Sequence, residues 1–597
     1  MNTIIKKIGL NSYRILCGIM LPVVFMLPVG CGEDFLYKEP KGIVFTENLA
    51  TKEGIEYLLI GVYSLSTGGS GHGQEIAMSA SIRNFVWDCA SDNAYKGNTF
   101  SDNHVVGLIE YYDVDPTNIR IEYNWRVFYD GISRANDVLK AVATARTRGT
   151  VDETFAQQAE AQAKFFRGWW HFRLLKMYWQ VPYIDEKVTP QEVKNDRKIW
   201  PEIETDLQFA IDNLREEWPG EPGRITRWAA LAYKAYALLY QYRYSEAKVL
   251  LDEIINSNRF RLVDNFGDNF SVHTENNVES IHEIQAAVNY SGTDRNLSNS
   301  DSWLINPQNP FVTTCCNLYQ PSQDLVNAFK VDDNGLPLLG FNGPKFNDED
   351  LENDYGISSS GVFYPTEHLL DPRLDWSLGR RGIPYLDYGI MTGFDFIRDQ
   401  GNGGPYVMKK SMFNKADVGI FSSTAYPRAH AINYRKVRYG HILLWRAECA
   451  VEENDLEKAR ELVNMIRRRA SDDFIMGRCL EYSFTVAGQP NLTVDWTQPA
   501  ANYKLGEYPS FPNQEYAREA VRMETRLEFA MEGNRFFDLV RWGIASDVLP
   551  KYIQNDVRYG RSVMQGKTFK EKNIRFPIPQ SQLDIQPDVL EQDPLWK

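Results

Sequence analysis

Charged side chains recur at helical spacing near the carboxyl end of the chain. The acidic set is Glu524, Glu528 and Glu532, and a basic set on another face is Arg518, Arg522 and Arg526. Glycosidases use paired carboxylates as acid, base and nucleophile, so acid–base chemistry is one hypothesis. Like charges four residues apart disfavour an isolated helix and need partners elsewhere. Structural ion pairs that tie helices together are the favoured alternative, because such networks also perturb carboxylates.

Two further stretches combine groups that recognise sugars, namely flat apolar rings and planar polar groups. The first contains Arg83, Trp87, Asp88, Asp92, Asn93 and Tyr95, and the second contains Tyr290, Trp303, Phe311 and Tyr319 among several asparagines. Aromatic rings can cover the C–H face of a pyranose, while amide, carboxylate and guanidinium groups bond its hydroxyls. These ten residues are the candidate ligand contacts. The alternative for each aromatic is to pack as the local core of its own loop.

The sequence gives weaker support for metal sites and for a disulfide framework. The sequence Asp332-Asp333-Asn334-Gly335 resembles part of a calcium loop, but Lys330 replaces the opening acid, so a tight turn is predicted. The cysteines that follow residue 31 are odd in number and contain no C-x-x-C, which indicates neither a disulfide framework nor a zinc site. We therefore expect no metal site and no cofactor.

The amino terminus is typical of an exported protein. Residues 1–30 contain three basic residues and no acid, and residues 15–27 are mostly apolar, as in a secretory signal. The apolar run is shorter than the roughly 20 residues that a spanning helix needs. Small residues precede Cys31, which is the predicted lipid anchor. The alternative is an ordinary signal peptide with an incidental cysteine, since Pro28 stands where lipoprotein sites usually have leucine.

The composition restricts the partners. The 597 residues carry a formal charge of −14, so a nucleic-acid partner has no broad electrostatic support. Aromatic residues make up 13% of the chain, more than a core alone usually requires, which indicates that some of them bind a ligand.

Helical periodicity indicates the elements that would position these groups. Helices are predicted over residues 54–65, 125–139 and 157–178, the last apolar on nearly every side and therefore buried. Helical hairpins are predicted over residues 227–256 and 441–466. The second helices of these hairpins contain Ala247 and Ala459, which are too far apart for tandem tetratricopeptide repeats. The hairpins must therefore belong to a larger fold with long insertions.

The segment between the hairpins has a different composition. Residues 260–430 are rich in Asn, Gly, Ser, Pro and aromatics, with short strands predicted within 278–288 and 407–412. Long loops of this kind usually carry function.

Several motifs along the chain resemble one known family. The late motif is Glu524, Arg526, Glu528, Phe529, Glu532, Gly533, Arg535, Phe537, Asp538, Leu539, Arg541 and Trp542. Earlier motifs are Gly131-Ile132, Arg134-Ala135-Asn136, Glu160-Ala161, Phe166-Arg167, Leu370-Asp371-Pro372-Arg373-Leu374 and Arg446-Ala447-Glu448. Together they resemble the SusD/RagB family of outer-membrane nutrient-binding lipoproteins. Thr525 departs from the usual acidic-basic start of the late motif, and Trp179 replaces a usual glycine.

The resemblance implies a fold and its organisation. The expected fold is mainly α, a tetratricopeptide-like scaffold of four helix pairs with long loop-rich insertions and a few short strands. Residues 1–30 would be the lipoprotein signal peptide and 31–53 a tether. Residues 54–597 would form one domain, with an amino-terminal part to about 260, a ligand-facing part over about 261–430 and a carboxyl-terminal part over about 431–597.

The resemblance also implies a role. The expected protein is not an enzyme: it is lipid-anchored in the outer membrane, faces outward, captures oligosaccharides and delivers them to a SusC-like TonB-dependent transporter. Peptides or another nutrient are the alternative ligand. Surface glycoside hydrolysis through the late carboxylates and a periplasmic tetratricopeptide scaffold are the alternatives from other classes.

Overall fold

The computed structural model describes most of the chain after residue 45. The described ranges are residues 46–66, 84–288, 302–307, 316–341, 343–351, 354–410, 412–423, 429–481, 483 and 492–597, with the side chains of residues 46, 47, 302 and 303 excluded. Residues Thr46–Lys597 form one compact unit.

Helices are the predominant regular structure of the described residues. In chain order they are α1 (Lys52–Ser66), α2 (Phe85–Asp88), α3 (His104–Glu110), α4 (Ile119–Arg148), α5 (Glu153–Tyr178), α6 (Trp200–Asn213), α7 (Arg227–Leu239), α8 (Tyr244–Asn256), α9 (Ser302–Ile305), α10 (Gln323–Ala328), α11 (Arg373–Ser377), α12 (Gln400–Gly403), α13 (Tyr439–Glu452), α14 (Leu456–Ala470), α15 (Gln514–Glu528), α16 (Arg535–Arg541), α17 (Ala545–Arg558) and α18 (Gln580–Ile585). The mainly α prediction is confirmed.

The strands are short and pair in twos. They are β1 (Ala94–Gly97), β2 (Ser280–Ile284), β3 (Leu318–Pro321), β4 (Leu378–Gly379), β5 (Val407–Met408), β6 (Tyr434–Arg438), β7 (Met476–Cys479) and β8 (Val494–Pro499). The antiparallel pairs are β1–β3, β2–β6, β4–β5 and β7–β8. Strands β2 and β5 lie within the two segments in which the sequence predicts strands.

The long helices begin and end at residues suited to those places. The side chains of Asn118 and Asp152 accept hydrogen bonds from the first-turn amides of α4 and α5, which satisfies donors that a helix leaves free. Helix α4 ends at Arg148, and the next residue, Gly149, has a φ of 65°, the left-handed conformation that glycine adopts without strain. The helices predicted over 125–139 and 157–178 are present, and each is longer than predicted.

The helical hairpins pack side by side. Helices α7 and α8 form the first predicted hairpin, and α13 and α14 form the second. They meet directly, because α8 packs on α13 and the ring of Tyr236 stacks on Trp445 with centroids 4.5 Å apart. The described residues between the two hairpins contain only short helices and short strands.

Helix α5 is the centre of the core. Phe165, Phe166, Trp169 and Trp170 are each at most 1% exposed, which confirms that this helix is buried on most sides. A Cβ atom on Gly131 of α4 would lie 2.4 Å from Nε1 of Trp170, so a glycine is required where the two helices approach.

Trp179 shows how the chain replaces a glycine at the end of α5. Its φ of 69° lies in the left-handed region, which is costly for a bulky side chain. The indole stays partly exposed between two cations, with Nζ of Lys198 3.5 Å and the guanidinium of Arg575 4.8 Å from the ring centroid. These cation–π contacts offset part of the backbone strain.

Across the described part of the chain, every helix is either too short or too polar to cross a bilayer.

Candidate functional site

The two stretches predicted to bind sugar meet in the structure. Strand β1 carries Tyr95 and pairs with β3, where Tyr95 lies opposite Gln320. The hydroxyl of Tyr319, also on β3, donates a 2.6 Å hydrogen bond to the carboxylate of Asp88. Segments more than 200 residues apart in the chain therefore form one framework, which we define as residues 84–98 together with 316–324.

The framework is buried, which corrects the prediction for six residues. Trp87, Asp88, Asp92, Asn93, Tyr95 and Tyr319 are all at most 2% exposed. The ring of Trp87 packs edge-on against Phe576 at 4.7 Å, and the guanidinium of Arg561 covers Tyr95 at 3.7 Å. These side chains cannot contact a ligand on the surface in this conformation. They pack as core instead, the alternative left open for the aromatics.

Asp88 is held inside the framework by neutral donors. Its second oxygen accepts a 3.0 Å hydrogen bond from the backbone amide of Phe536, at the start of α16. Burial raises the pKa of Asp88 to about 6, although the bonds from Tyr319 and Phe536 act in the opposite direction. Asp88 therefore links the early framework to the late motif.

Asp92 and Asn93 link the framework to two arginines of the late motif. Arg535 donates to both oxygens of Asp92 at 2.8 and 2.9 Å. Arg526 donates from Nε to the Asn93 amide oxygen at 2.8 Å and from Nη2 to Asp324 at 2.8 Å. Burial alone would raise the pKa of Asp92, but Arg526 and Arg535 lower it to about 2. Asp92 therefore stays ionised at neutral pH and holds two arginines.

The structure does not describe the side chains of the remaining predicted contacts. Cys31, Arg83, Tyr290 and Phe311 lie outside the described residues, and so does the side chain of Trp303, whose backbone forms part of α9. The amides of Cys316 and Asn317, which belong to the framework, both donate to the carbonyl of Asn306. The ligand contacts of Arg83, Tyr290, Trp303 and Phe311 stay predictions.

The late carboxylates form a closed ion-pair network. Helix α15 ends at Glu528, so Glu532 lies beyond the helix on which the sequence places it. Glu524 pairs with Arg373 at 2.6 Å and with Arg467 at 2.9 Å. Glu528 pairs with Arg438 at 2.6 Å, with Arg373 at 3.0 Å and also with Arg469. Glu532 pairs with Lys410 at 2.9 Å and with Arg438 at 3.1 Å.

This network is unsuited to acid–base catalysis. Glu524, Glu528 and Glu532 are at most 2% exposed, so a substrate cannot reach them. Burial alone would raise the pKa of Glu528, but Arg469, Arg438 and Arg373 hold it well below its usual value. Arg438 and Lys410 likewise overcome burial and lower the pKa of Glu532 to about 2. A glycosidase acid needs the opposite shift, so the acid–base hypothesis is wrong for these carboxylates and the ion-pair hypothesis is confirmed.

The other motifs have structural roles as well. Asp332 closes a tight turn: its carbonyl accepts from the Gly335 amide at 2.9 Å, and its side chain accepts from the Asn334 amide at 2.8 Å. The described residues contain no cluster of side chains that could hold a metal ion. Cys316 is disulfide-bonded, which the sequence analysis does not predict, while Cys89, Cys449 and Cys479 are buried free thiols.

The sequence analysis missed the connection between the early acids and the late arginines. Arg526 and Arg535 belong to the late motif, and Asp92 lies more than 400 residues earlier. Neither segment signals the pairing by its own composition, because Arg83 and Lys96 flank the early acids and the late arginines stand among glutamates. Pairing the two would have placed Asp92 in the core, since unpaired buried charge is costly.

Comparisons with known proteins agree with this architecture. A family model described as the SusD family matches residues 278–596, more than half of the chain. The chain belongs to the SusD family. A second model, described as starch-binding and associating with the outer membrane, matches residues 34–239. The two matches together include both the early framework and the late motif, which are the parts that the buried ion pairs join.

Relatives of the SusD family match over nearly the full length. A SusD-like protein of Formosa agariphila is 23% identical over 583 residues, which are 94% of this chain and 95% of that protein. A SusD superfamily structure from Bacteroides vulgatus superposes with a TM-score of 0.65 at 19% identity, covering 92% of this chain and 100% of the other. Surface glycan-binding protein A from Bacteroides thetaiotaomicron, in complex with laminarihexaose, gives 0.64 at 19% identity, with coverages of 91% and 99%. These structures establish the shared fold.

Proposed function

We propose that this SusD-family chain is a cell-surface glycan-binding lipoprotein that captures oligosaccharides and delivers them to a SusC-like TonB-dependent transporter. The observation that carries the proposal is the full-length match to a fold whose solved members include a laminarihexaose complex. The closed ion-pair network supports binding without bond cleavage, because the carboxylates that invite a catalytic role are inaccessible.

The ligand would bind at the segments that the framework holds. Arg83, Tyr290, Trp303 and Phe311 are the proposed contacts, since they belong to segments that leave the framework or adjoin it. An aromatic platform of this kind contributes mostly through contact with the apolar face of the sugar.

Substitution of Trp303 tests this location. Trp303→Ala should weaken binding of the oligosaccharide by at least about tenfold in calorimetric titration, which corresponds to roughly 1.4 kcal/mol. Trp496→Ala is the matched control, because Trp496 is 58% exposed on β8, outside the segments that extend from the framework. Equal losses in the two variants would contradict the proposed location, and saturable binding of peptides but of no glycan would favour the alternative ligand.

The anchor and the partner have separate tests. Residues 1–30 would be removed and Cys31 lipidated, so labelled palmitate should be incorporated by the native chain and lost in Cys31→Ala. Affinity purification from outer membranes should recover a large TonB-dependent transporter. Palmitate incorporation that survives the substitution would refute the anchor, and the absence of such a transporter would refute the delivery role.

A further inference from the structure

A cavity of about 460 Å³ lies between α15, α17 and the loop over residues 338–348. This volume is within the range of small-molecule sites, about 300–1,000 Å³. The cavity is on the outer side of the framework, since Asp92 and Asp324 reach its floor. Its described lining residues include none of the glycan contacts proposed above.

Two helices each present one face to this cavity. Helix α15 contributes Glu519, Arg522, Met523 and Arg526, and α17 contributes Val548, Lys551, Tyr552 and Asn555. Both sets follow the spacing of three and four residues that places side chains on one side of a helix. The cavity walls are therefore built on regular structure, which holds the lining residues in fixed positions.

The charged side chains at the floor of the cavity pair with one another. Arg535 donates to both oxygens of Asp92, and Arg526 pairs with Asp324 at 2.8 Å. Asp324 is held further by the Asn347 amide, which donates to it at 2.6 Å. Because these charges are mutually neutralised, the floor offers polar atoms to a ligand but no surplus charge.

The walls combine an aromatic ring with aliphatic and amide groups. The ring of Phe346 lies over the Arg526 guanidinium, 5.4 Å from centroid to Cζ, which fixes its orientation. The aliphatic lining consists of Leu338, Leu339, Met523, Ile544 and Val548. Gln554 adds an exposed amide that has no hydrogen-bond partner among the described residues. Apolar faces beside planar amides suit a sugar ring with its hydroxyls.

The rim carries two lysines without acidic partners. Lys345 and Lys551 line the cavity and are exposed, and within the described ranges neither ammonium group forms an ion pair or hydrogen bond. The stem of Lys345 lies across Gly340, where a Cβ atom would be 2.3 Å from the lysine Cγ. Arg522, by contrast, is paired with Glu519 at 3.2 Å. The exposed acid Asp348 also lines the cavity, and its carboxylate accepts from the Lys345 backbone amide at 2.7 Å. The five cations of the lining still exceed its four anions, and the unpaired ammonium groups lie at the rim.

From this arrangement we propose that the cavity is a second saccharide site, specific for a sugar that carries an anionic substituent, either a carboxylate or a sulfate ester. The sugar ring packs against Phe346 and the aliphatic side chains of the wall, and the anionic group of the sugar pairs with Lys345 and Lys551. The inference rests on the proposed function only for the choice of a sugar as the ligand.

Calorimetric titration of the purified full chain with three disaccharides tests the proposal. The probes are digalacturonate, sulfated galactobiose and neutral galactobiose, so the two anionic arms distinguish carboxylate from sulfate. At least one anionic disaccharide should bind about tenfold more tightly than galactobiose at low ionic strength. The preference should largely disappear near 1 M salt, where the screening length is about 3 Å.

Variants locate the binding site. Lys345→Ala with Lys551→Ala should reduce the affinity for the anionic disaccharide by about five- to tenfold, as expected for two exposed ion pairs. Lys187→Ala with Lys194→Ala removes the same charge from exposed positions outside the cavity and should leave the affinity unchanged. Phe346→Ala should weaken binding of every disaccharide that binds the cavity.

The outcomes separate this inference from the proposed function. Equal affinity for charged and neutral disaccharides, equal losses in the two lysine pairs, or no binding of either anionic probe overturns the anionic site. Loss of binding in Trp303→Ala but not in the Lys345 and Lys551 variant also overturns it, while leaving the proposed glycan capture intact. Loss in the cavity variant alone supports it.

Discussion

The two faces of α15 use charge in opposite ways. On one face Glu524 and Glu528 are buried and bonded to arginines of three other segments. On the other face Glu519 and Arg522 stand beside a cavity whose rim lysines remain unpaired. A regular spacing of like charges therefore does not indicate function by itself. Whether these charges stabilise the fold or remain available to a ligand depends on which oppositely charged side chains lie beside them.

The difference follows from the cost of burying charge. A fully buried carboxylate must be compensated by several cations, and removal of one partner leaves an uncompensated charge. A charge at a cavity rim stays hydrated and needs no partner until a ligand supplies one. The closed face should therefore respond strongly to substitution, and the open face should respond mainly in ligand binding.

Matched substitutions on the two faces should give the largest contrast. Glu528→Gln should lower the free energy of unfolding by about 3–5 kcal/mol, because Arg373, Arg438 and Arg469 lose their shared anion. Glu519→Gln, on the same helix, should change it by less than about 0.5 kcal/mol. Urea denaturation measures both values. Similar losses in the two variants would remove the distinction between the faces.

Acid titration sharpens the same contrast. The pKa of Glu532 is lowered to about 2 when folded, so its stabilisation is present above its unfolded pKa of about 4.3 and is lost as the pH falls toward 2. Relative to the native chain, Glu532→Gln should lose about 3 kcal/mol at pH 7 and almost nothing near pH 2. Unfolding temperatures measured across this range test the trend. A pH-independent difference would contradict it.

The framework under the predicted ligand segments should show an intermediate effect. Tyr319→Phe removes the 2.6 Å hydrogen bond to Asp88 and should cost about 1–2 kcal/mol. The pKa of Asp88, already raised to about 6, should rise further without this donor to the charged form. The loss in stability should therefore be larger at pH 8 than at pH 5, and denaturation at both pH values measures it. Equal losses would mean that Asp88 does not titrate as described.

The cavity rim should show the smallest effect on stability. Lys345→Ala with Lys551→Ala should change the free energy of unfolding by less than about 0.5 kcal/mol, because neither lysine has a partner among the described residues. Thermal denaturation measures this value. A loss above about 2 kcal/mol would show that the rim has a structural role and would weaken its assignment as an open binding face.

The fold was largely predictable because its signals are local. The hairpins α7–α8 and α13–α14 follow from apolar residues at helical spacing, and the late motif identifies the family through adjacent residues. The direct contact between α8 and α13 was not predictable from spacing, since a loop-rich insertion separates them in the chain.

The sequence predicted which residues of the candidate site lie together, but not that their side chains are buried. The sequence groups Trp87 with Asp92 and Tyr95 as a polar, aromatic stretch, and the structure does place that stretch beside Tyr319. Burial depends on Arg526 and Arg535, which neutralise Asp92 from more than 400 residues away. The residues around Asp92 in the sequence do not indicate these distant arginines, so the stretch is predicted to be exposed although it is buried.

The central claim is that the chain captures glycan without cleaving it, and one measurement tests this most directly. The purified protein is titrated calorimetrically with a panel of oligosaccharides that includes laminarihexaose, and each mixture is then assayed for new reducing ends. We expect saturable binding of at least one oligosaccharide, weakened by Trp303→Ala, and no new reducing ends. Reducing ends that accumulate with time in the purified native protein would refute capture without cleavage.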